Sequence, residues 1–334
     1  MIHTLWFLVL GTMLVGYAVL DGFDLGVGIL HLVIGRTPEE RTAIVSAIGP
    51  VWNGNEVWLI AAGGAMVVAF PTLYATSFSG FYLALMLVLW LLILRGLALE
   101  FRHQLNNPLW LQAWDVVFAF ASTLLALLFG VAVGNVLRGV PLDSEGQFQG
   151  SFALMLNPFA VLGGVLGVVT LAMHGAGWLA LKTVGDVHVR AQRWQRALTW
   201  ATAAVLVAFT GASFVARPDF TRNFAAMPLL LVIPLTGVLA LVGVTYFSGR
   251  SDAKAFASSA GVVAATLASA GAGLYPVLLP ALPGSAHPDL DIYNTASPEN
   301  SLRIALAIYL AGMAIVAVYL IRIYRVWHRG ARVY

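Results

Sequence analysis

The sequence predicts an all-α integral membrane protein of about nine transmembrane helices. Three observations predict it. Of 334 residues, 60% are hydrophobic and only 10% charged, where ordinary soluble domains carry about 25% charged residues; the mean hydropathy is +0.87. The apolar residues fall into runs that each approach the ~20 residues a helix needs to cross a bilayer. Lysine and arginine crowd into alternate connections between those runs.

In order, the runs are approximately Leu5–Leu32, Ile44–Phe70, Ser77–Leu99, Ala113–Leu137, Phe152–Leu181, Ala197–Ala216, Ala226–Phe247, Ala255–Leu279 and Leu302–Val326. They read as a single transmembrane unit over residues 1–334, without linker, low-complexity segment or internal repeat. The first run follows Met1-Ile2-His3-Thr4, which has no positive n-region. No small-residue cleavage site precedes its aspartates, so it reads as an uncleaved span. Pro71, Pro158, Pro228 and Pro276 mark ends of runs, where a missing backbone donor does least harm. The third run continues into Glu100 and Arg102.

Basic residues orient the chain. With the N-terminus outside, the inward connections and tail hold Arg36, Arg41, Arg95, Arg102, Lys182, Arg190, Arg193, Arg196, Arg250, Lys254, Arg322, Arg325, Arg329 and Arg332. The outward side holds only Arg138, Arg217, Arg222 and Arg303. The expected topology is N-terminus out, C-terminus in the cytoplasm. The net charge of +3 and pI near 9.3 come from this one-sided bias, and no nucleic-acid partner is implied. The absence of cysteine excludes disulfides, thiolate catalysis and Cys-ligated metal sites.

The polar residues inside the runs carry the functional signal. Asp21 and Asp24 lie at i and i+3 within Gly16-Tyr17-Ala18-Val19-Leu20-Asp21-Gly22-Phe23-Asp24-Leu25-Gly26-Val27-Gly28, on one helical face. A carboxylate in the hydrocarbon core costs roughly 3 kcal/mol even on the gentlest insertion scale, so two of them need a reason. Asn53 and Glu56 repeat the spacing in the second run. The expected topology puts Asp21 and Asp24 in the inner half, Glu56 near mid-membrane, and Glu100 and Asp115 at the inner ends of the third and fourth spans. Such a one-sided ladder is what a half-channel taking protons from the cytoplasm requires. Glu56 is then the inner relay, and Glu100, beside Arg95, the mouth.

Blander readings compete. Asp21 and Asp24 can serve as hydrogen-bond acceptors between helices. Gly22-x-x-x-Gly26 suits close helix contact, and for Gly22, Gly26 and Gly28 packing is the better reading. Trp52 and Trp58 read as packing or interface anchors. Arg95 is either a snorkelling side chain or the ion-pair partner of Glu100. Of seven histidines, only His174 falls well inside a run. One intramembrane histidine cannot supply the axial ligands of several haems, and no His/carboxylate cluster has metal-binding spacing. No metal or haem is expected on this chain, and His174 reads as an interhelix hydrogen-bonding residue.

The Gly16–Gly28 stretch and Gly49-Pro50-Val51-Trp52-Asn53-Gly54-Asn55-Glu56-Val57-Trp58-Leu59 resemble the signatures of subunit II of cytochrome bd-type quinol oxidases. Further similarities are Phe70-Pro71-x-x-Tyr74-Ala75, Phe78-Ser79-Gly80-Phe81-Tyr82, Arg95-Gly96-x-x-x-Glu100-Phe101-Arg102, Leu156-Asn157-Pro158-Phe159 and Lys182-Thr183-Val184-Gly185. The resemblance implies nine helices arranged as two four-helix bundles plus one peripheral helix. It implies a heterodimer with a subunit I that holds two b-type haems and haem d and oxidises quinol. It also implies a bacterial inner-membrane location and possible small single-span accessory subunits. Subunit II is then a non-haem subunit that supports its partner and helps deliver protons for reducing oxygen to water. One departure is Asn53, often Asp in the family; an amide orders water but does not exchange a proton as a carboxylate does.

Two rivals come from other classes. A proton-coupled secondary transporter also uses Gly-rich helices with midplane acids, though an odd number of spans without a repeat counts against it. A structural membrane scaffold would use the acids only as interhelix glue.

Overall fold

The structure, a computed structural model, describes the backbone of residues 1–329 and side chains as far as Arg322. Arg332 lies outside the described residues, as do the side chains of Arg325, His328 and Arg329. Thirteen α-helices follow in order: α1 (Ile2–Ile34), α2 (Pro38–Ser46), α3 (Trp52–Ala69), α4 (Pro71–Gly80), α5 (Tyr82–Phe101), α6 (Pro108–Arg138), α7 (Phe152–Met155), α8 (Pro158–Lys182), α9 (Gly185–Ala216), α10 (Arg222–Ala226), α11 (Val232–Phe247), α12 (Asp252–Leu274) and α13 (Glu299–Arg329). Eight helical segments among the described residues are long and apolar enough to cross a membrane. The ninth long helix, α3, has only 18 residues. Helices α1, α3, α5 and α6 form one four-helix bundle and α8, α9, α11 and α12 a second, joined through α1, α6 and α8. Helix α13 lies along α1 and α3 at the periphery.

Several expected spans are broken, each by an identifiable residue. The run Ile44–Phe70 is two helices, α2 and α3, separated by a turn at Gly49-Pro50; the proline lacks the donor a continuing helix needs and pushes its predecessor out of the helical region. Phe81 separates α4 from α5. Asn157 separates α7 from α8 and caps the latter, accepting a hydrogen bond from the Ala160 amide at 3.0 Å with Pro158 at the first position. Asn107 and Pro108 begin α6 in the same way. Helix α9 starts twelve residues earlier than the apolar run suggests, at Gly185, because its first turns are polar and lie beyond the apolar layer. The run ending at Leu279 stops as helix at Leu274 and finishes as a short strand, β1 (Val277–Leu279), paired antiparallel to β2 (Leu290–Asp291).

Side-chain links sort the connections onto two faces. On one, α2 joins the start of α9 through Arg190–Glu40 (2.6 Å) and the end of α5 through Arg102–Thr42 (2.8 Å). The Gln192–Asp252 bond (2.8 Å) adds the α11–α12 turn to that face. On the other, Trp6 donates to the Leu302 carbonyl, the Val140 backbone bonds Pro280 and Leu282, and Ser297 donates to the Val68 carbonyl. The first face carries most of the Lys and Arg residues.

Close backbone approach fixes the central crossing of α1 and α8. A Cβ on Gly26 would collide with the Leu171 carbonyl and the backbone of Gly175, and one on Gly175 would collide with Gly26 and Val27. Only glycine on both helices permits that contact.

Candidate functional site

The polar residues Tyr17, Asp21, Asp24 and His31 of α1 share one face with Gly28, because these positions recur at helical spacing. Around that face the fold builds two buried ionic clusters. In the upper one Arg95 of α5, with 0% of its side chain exposed, points two nitrogens at Asp21, Nη1 to Oδ2 at 2.9 Å and Nη2 to Oδ1 at 2.6 Å. The same Nη2 also donates to Glu56 of α3 at 2.6 Å. Asn55 donates its amide to Asp24 Oδ2 at 2.8 Å. One guanidinium therefore pairs with two carboxylates, Asp21 and Glu56, and a third, Asp24, lies one turn from Asp21 on the same face of α1. Glu56 is the outermost of them, with 25% of its side chain exposed.

The lower cluster lies one helical segment nearer the basic face. Asp115 of α6 accepts from Arg102 Nε at 2.6 Å, meets His31 Nε2 at 2.7 Å and is approached by Arg41 at 3.4 Å. Arg102 also bonds Thr42. Arg41 keeps 24% of its side chain exposed and so connects the cluster to the surface. His31 and Asp24 are seven residues apart, as are Arg102 and Arg95, so both helices independently separate the clusters by about 10 Å. Between them lies Ser122 of α6. Its hydroxyl sits against Gly28, where a Cβ would displace it. The Ser122 hydroxyl, His31 Nδ1 and Asp24 Oδ1 are buried and carry no hydrogen bond to the described residues, in a setting where a buried polar atom needs a partner. Arg95 Nε in the upper cluster is in the same position, as is Trp58 Nε1, whose ring lies against Gly16.

Three sequence expectations are corrected here. Arg95 neither snorkels nor pairs with Glu100. The two residues are five apart on α5 and so project from different faces; Arg95 turns inward and Glu100 is exposed. Nor is Arg95 a loop cation, as the charge count had it. Asn53 is exposed on α3, and the buried amide is Asn55, two residues on and on the opposite side. Glu56 is not at the middle of a long span but in the second turn of α3, because Pro50 ends the preceding helix.

The sequence singles out neither Asn55 nor His31 as a site residue, and although it places Asp115 in the ladder and Arg41 and Arg102 on the inward side, it does not join the four into one cluster. A signal for Asn55 existed: the small residues Ala62, Ala65 and Ala69 define the buried stripe of α3, and extending it back reaches Asn55. His31 lies in phase with Asp21 and Asp24. Trp52 is buried against Gly96, and Gly22 faces Leu171. His174 places Nε2 3.0 Å from the Val19 carbonyl and Nδ1 2.7 Å from the Ser259 hydroxyl, and stacks on Phe256 at 4.7 Å. Both ring nitrogens of His174 are therefore engaged within this chain, and His31 meets Asp115 through Nε2. The described residues contain no group of three or more His, Cys, Asp or Glu placed to hold a metal ion.

Fold and site together define a multi-pass helical membrane subunit organised around buried ion pairs and unpartnered polar atoms. The chain belongs to the family of cytochrome bd terminal oxidase subunit II, whose sequence profile it matches over residues 2–327. It is 34% identical to the probable cytochrome oxidase subunit 2 of Haemophilus influenzae, covering 97% of this chain and 92% of that one. It is 32% identical to the cytochrome bd-I ubiquinol oxidase subunit 2 of Escherichia coli K12, with the same coverage. Its fold matches a chain of the bd oxidase from Geobacillus thermodenitrificans with a TM-score of 0.76, at 18% identity and 98% coverage of both chains. It is therefore a subunit of a quinol oxidase, an oxidoreductase complex with haems and a partner subunit I. The transporter reading is set aside by this match.

Proposed function

We propose that this chain is the non-haem subunit of the oxidase, and that the polar face of α1 carries protons from the cytoplasm towards the haem-bearing partner. In this reading the basic face is cytoplasmic, the N-terminus is on the outer side, and the complex sits in the bacterial inner membrane. Two b-type haems and haem d belong to the partner and supply quinol oxidation and oxygen reduction. Small accessory subunits are compatible with the exposed helix faces.

The observation that carries the proposal is the line of unpartnered buried atoms between the clusters: His31 Nδ1, Ser122 Oγ and Asp24 Oδ1. A gap of about 10 Å is too long for direct transfer between side chains, and ordered water bridges polar atoms of this kind. The mouth moves from Glu100 to Asp115, reached past the partly exposed Arg41. Asp24, oriented by the Asn55 amide, takes the proton at the upper end. Three carboxylates to one guanidinium leave excess negative charge in a low-dielectric site, and a bound proton offsets it. Glu56 delivers it, being the member of the cluster that opens to the surface of α3. On that surface Asn53, Glu56, Gly63 and Gly64 are wholly or partly exposed on a helix too short to span the bilayer comfortably. A polar stripe of this kind suits contact with a protein partner better than with lipid.

The test is oxygen consumption with excess quinol, normalised to haem d, for Glu56→Gln and Asp24→Asn. Removing a positioned proton-transfer group costs about 100-fold or more. Both variants are expected to assemble with full haem content and to turn over slowly. Wild-type rates per haem in both would leave the acids a purely structural role.

A further inference from the structure

A second polar feature lies at the corner where α9 meets the α11–α12 turn, away from the α3 surface. It consists of four cations: Arg193 and Arg196 on α9, Arg250 in the turn and Lys254 on α12. We propose that this corner binds the headgroup of an anionic phospholipid in the leaflet on the basic face.

The cations are held in place but not neutralised. Arg196 caps the end of α11 with Nη2 to the Ser248 carbonyl at 3.1 Å and Nε to the Ser248 hydroxyl at 3.3 Å. Glycine at 249, with φ +81, leaves room for that guanidinium, since a Cβ there would collide with it. Arg250 lies over the Tyr246 ring at 4.2 Å and bonds the Tyr246 carbonyl through Nη1. Lys254 lies 5.3 Å from the Phe247 ring. Neither arginine spends more than two of its five N–H donors on these contacts. Arg193 makes no hydrogen bond or ion pair with the described residues. The acid in the turn, Asp252, accepts from the Gln192 amide. The other nearby carboxylate, Asp186, faces Arg190 at 4.0 Å. The corner thus has four cations without a carboxylate partner among the described residues, aligned by aromatic rings.

The helix faces leading to it suit acyl chains. On α11, Leu235, Leu239, Val242 and Tyr246 recur at helical spacing and are all more than half exposed. On α9, Trp200 (69% exposed) and Val207 (73%) continue the line of Arg193. An apolar track ending in aromatic rings and then in cations matches an acyl chain, a glycerol region and a phosphate in that order. A free phosphate would use only the last of these, and an acidic protein segment would not need the track.

The experiment uses the intact complex in nanodiscs of phosphatidylcholine doped with spin-labelled phosphatidylglycerol or cardiolipin. The motionally restricted fraction of label is measured against labelled phosphatidylcholine. The wild type should select the anionic lipid, lose selectivity at high salt, and keep it when inorganic phosphate replaces chloride at equal ionic strength. The triple variant Arg193→Gln, Arg250→Gln, Lys254→Gln should bind about 100-fold more weakly, from three removed surface cations. Arg222→Gln, on the opposite face, should change nothing. Equal restriction of anionic and neutral lipid by the wild type overturns the proposal, whatever the variant's yield. Displacement by inorganic phosphate also overturns it, as does an accessory polypeptide covering the corner.

Discussion

Arg95 is the residue whose removal tests the structure most directly. It is fully buried and holds Asp21 through two nitrogens and Glu56 through one of them, at 2.6–2.9 Å. Arg95→Gln keeps most of the volume and removes the charge. Removing one partner of a buried ion pair costs about 3–5 kcal/mol, because the other charge is left uncompensated, which is a factor of about 150 to 4,000 in a folding or assembly equilibrium. Glu56 escapes part of this, since its side chain reaches the surface. Asp21, wholly buried, does not. The double substitution Asp21→Asn, Arg95→Gln removes both charges and should recover most of the loss. The expected coupling is about 2–3 kcal/mol, at the upper end of that for contacting pairs. The assay is a double-mutant cycle on the fraction of complex that stays assembled after a graded thermal challenge, followed by size exclusion with haem absorbance. A snorkelling arginine would cost about 1 kcal/mol or less and show no coupling. If the double variant is as unstable as the two singles combined, the Asp21–Arg95 geometry is wrong.

Gly26→Ala should lower the yield of folded protein sharply, since the added Cβ meets backbone and not a flexible side chain; overpacking of this kind costs about 1–3 kcal/mol or more, and unchanged yield would refute the close crossing. Asn55→Val should cost about 1–3 kcal/mol by leaving Asp24 without its donor, whereas Asn53→Val should stay within about 0.5 kcal/mol for this chain's own fold; thermal stability of the two variants compares them. The Glu40 carboxyl, on α2 outside the spans, is held below the usual carboxylate range chiefly by its hydrogen bond with Arg190. Its contribution is therefore full above the ordinary carboxylate pKa of about 4.3 and disappears as pH falls through the lowered value. Hydrogen-exchange protection factors of residues 38–46, taken relative to the intrinsic rate at each pH, should fall on acidification, and Glu40→Gln should show the lower protection already at neutral pH. The partly exposed pair is worth about 1 kcal/mol.

Composition and hydropathy by themselves determined that this chain crosses a membrane many times, since little else keeps so apolar a sequence folded and no charge-poor run of that length belongs on a soluble surface. The i, i+3 spacing of Asp21 and Asp24 likewise determined that they share a face, because helical period is local. Where helices break is half legible: Pro71, Pro158, Pro228 and Pro276 mark ends of runs, but Pro50 lies inside Ile44–Phe70, whose apolar length taken as a whole suits a single span. What only the tertiary structure decided is which side chains meet. Arg95 and Glu100 are near in sequence and point apart, while Arg95 and Asp21 are 74 residues apart and share a bidentate pair. The choice of Asn55 over Asn53 depends on the rotation of α3 about its own axis, set by its alanine stripe packing within the first bundle. The cluster of His31, Arg41, Arg102 and Asp115 draws on four helix ends, or residues beside them, that come together only because α2 folds back beneath α1 and α6. Helical period fixes a residue's direction relative to its own helix, and packing alone fixes that helix relative to its neighbours.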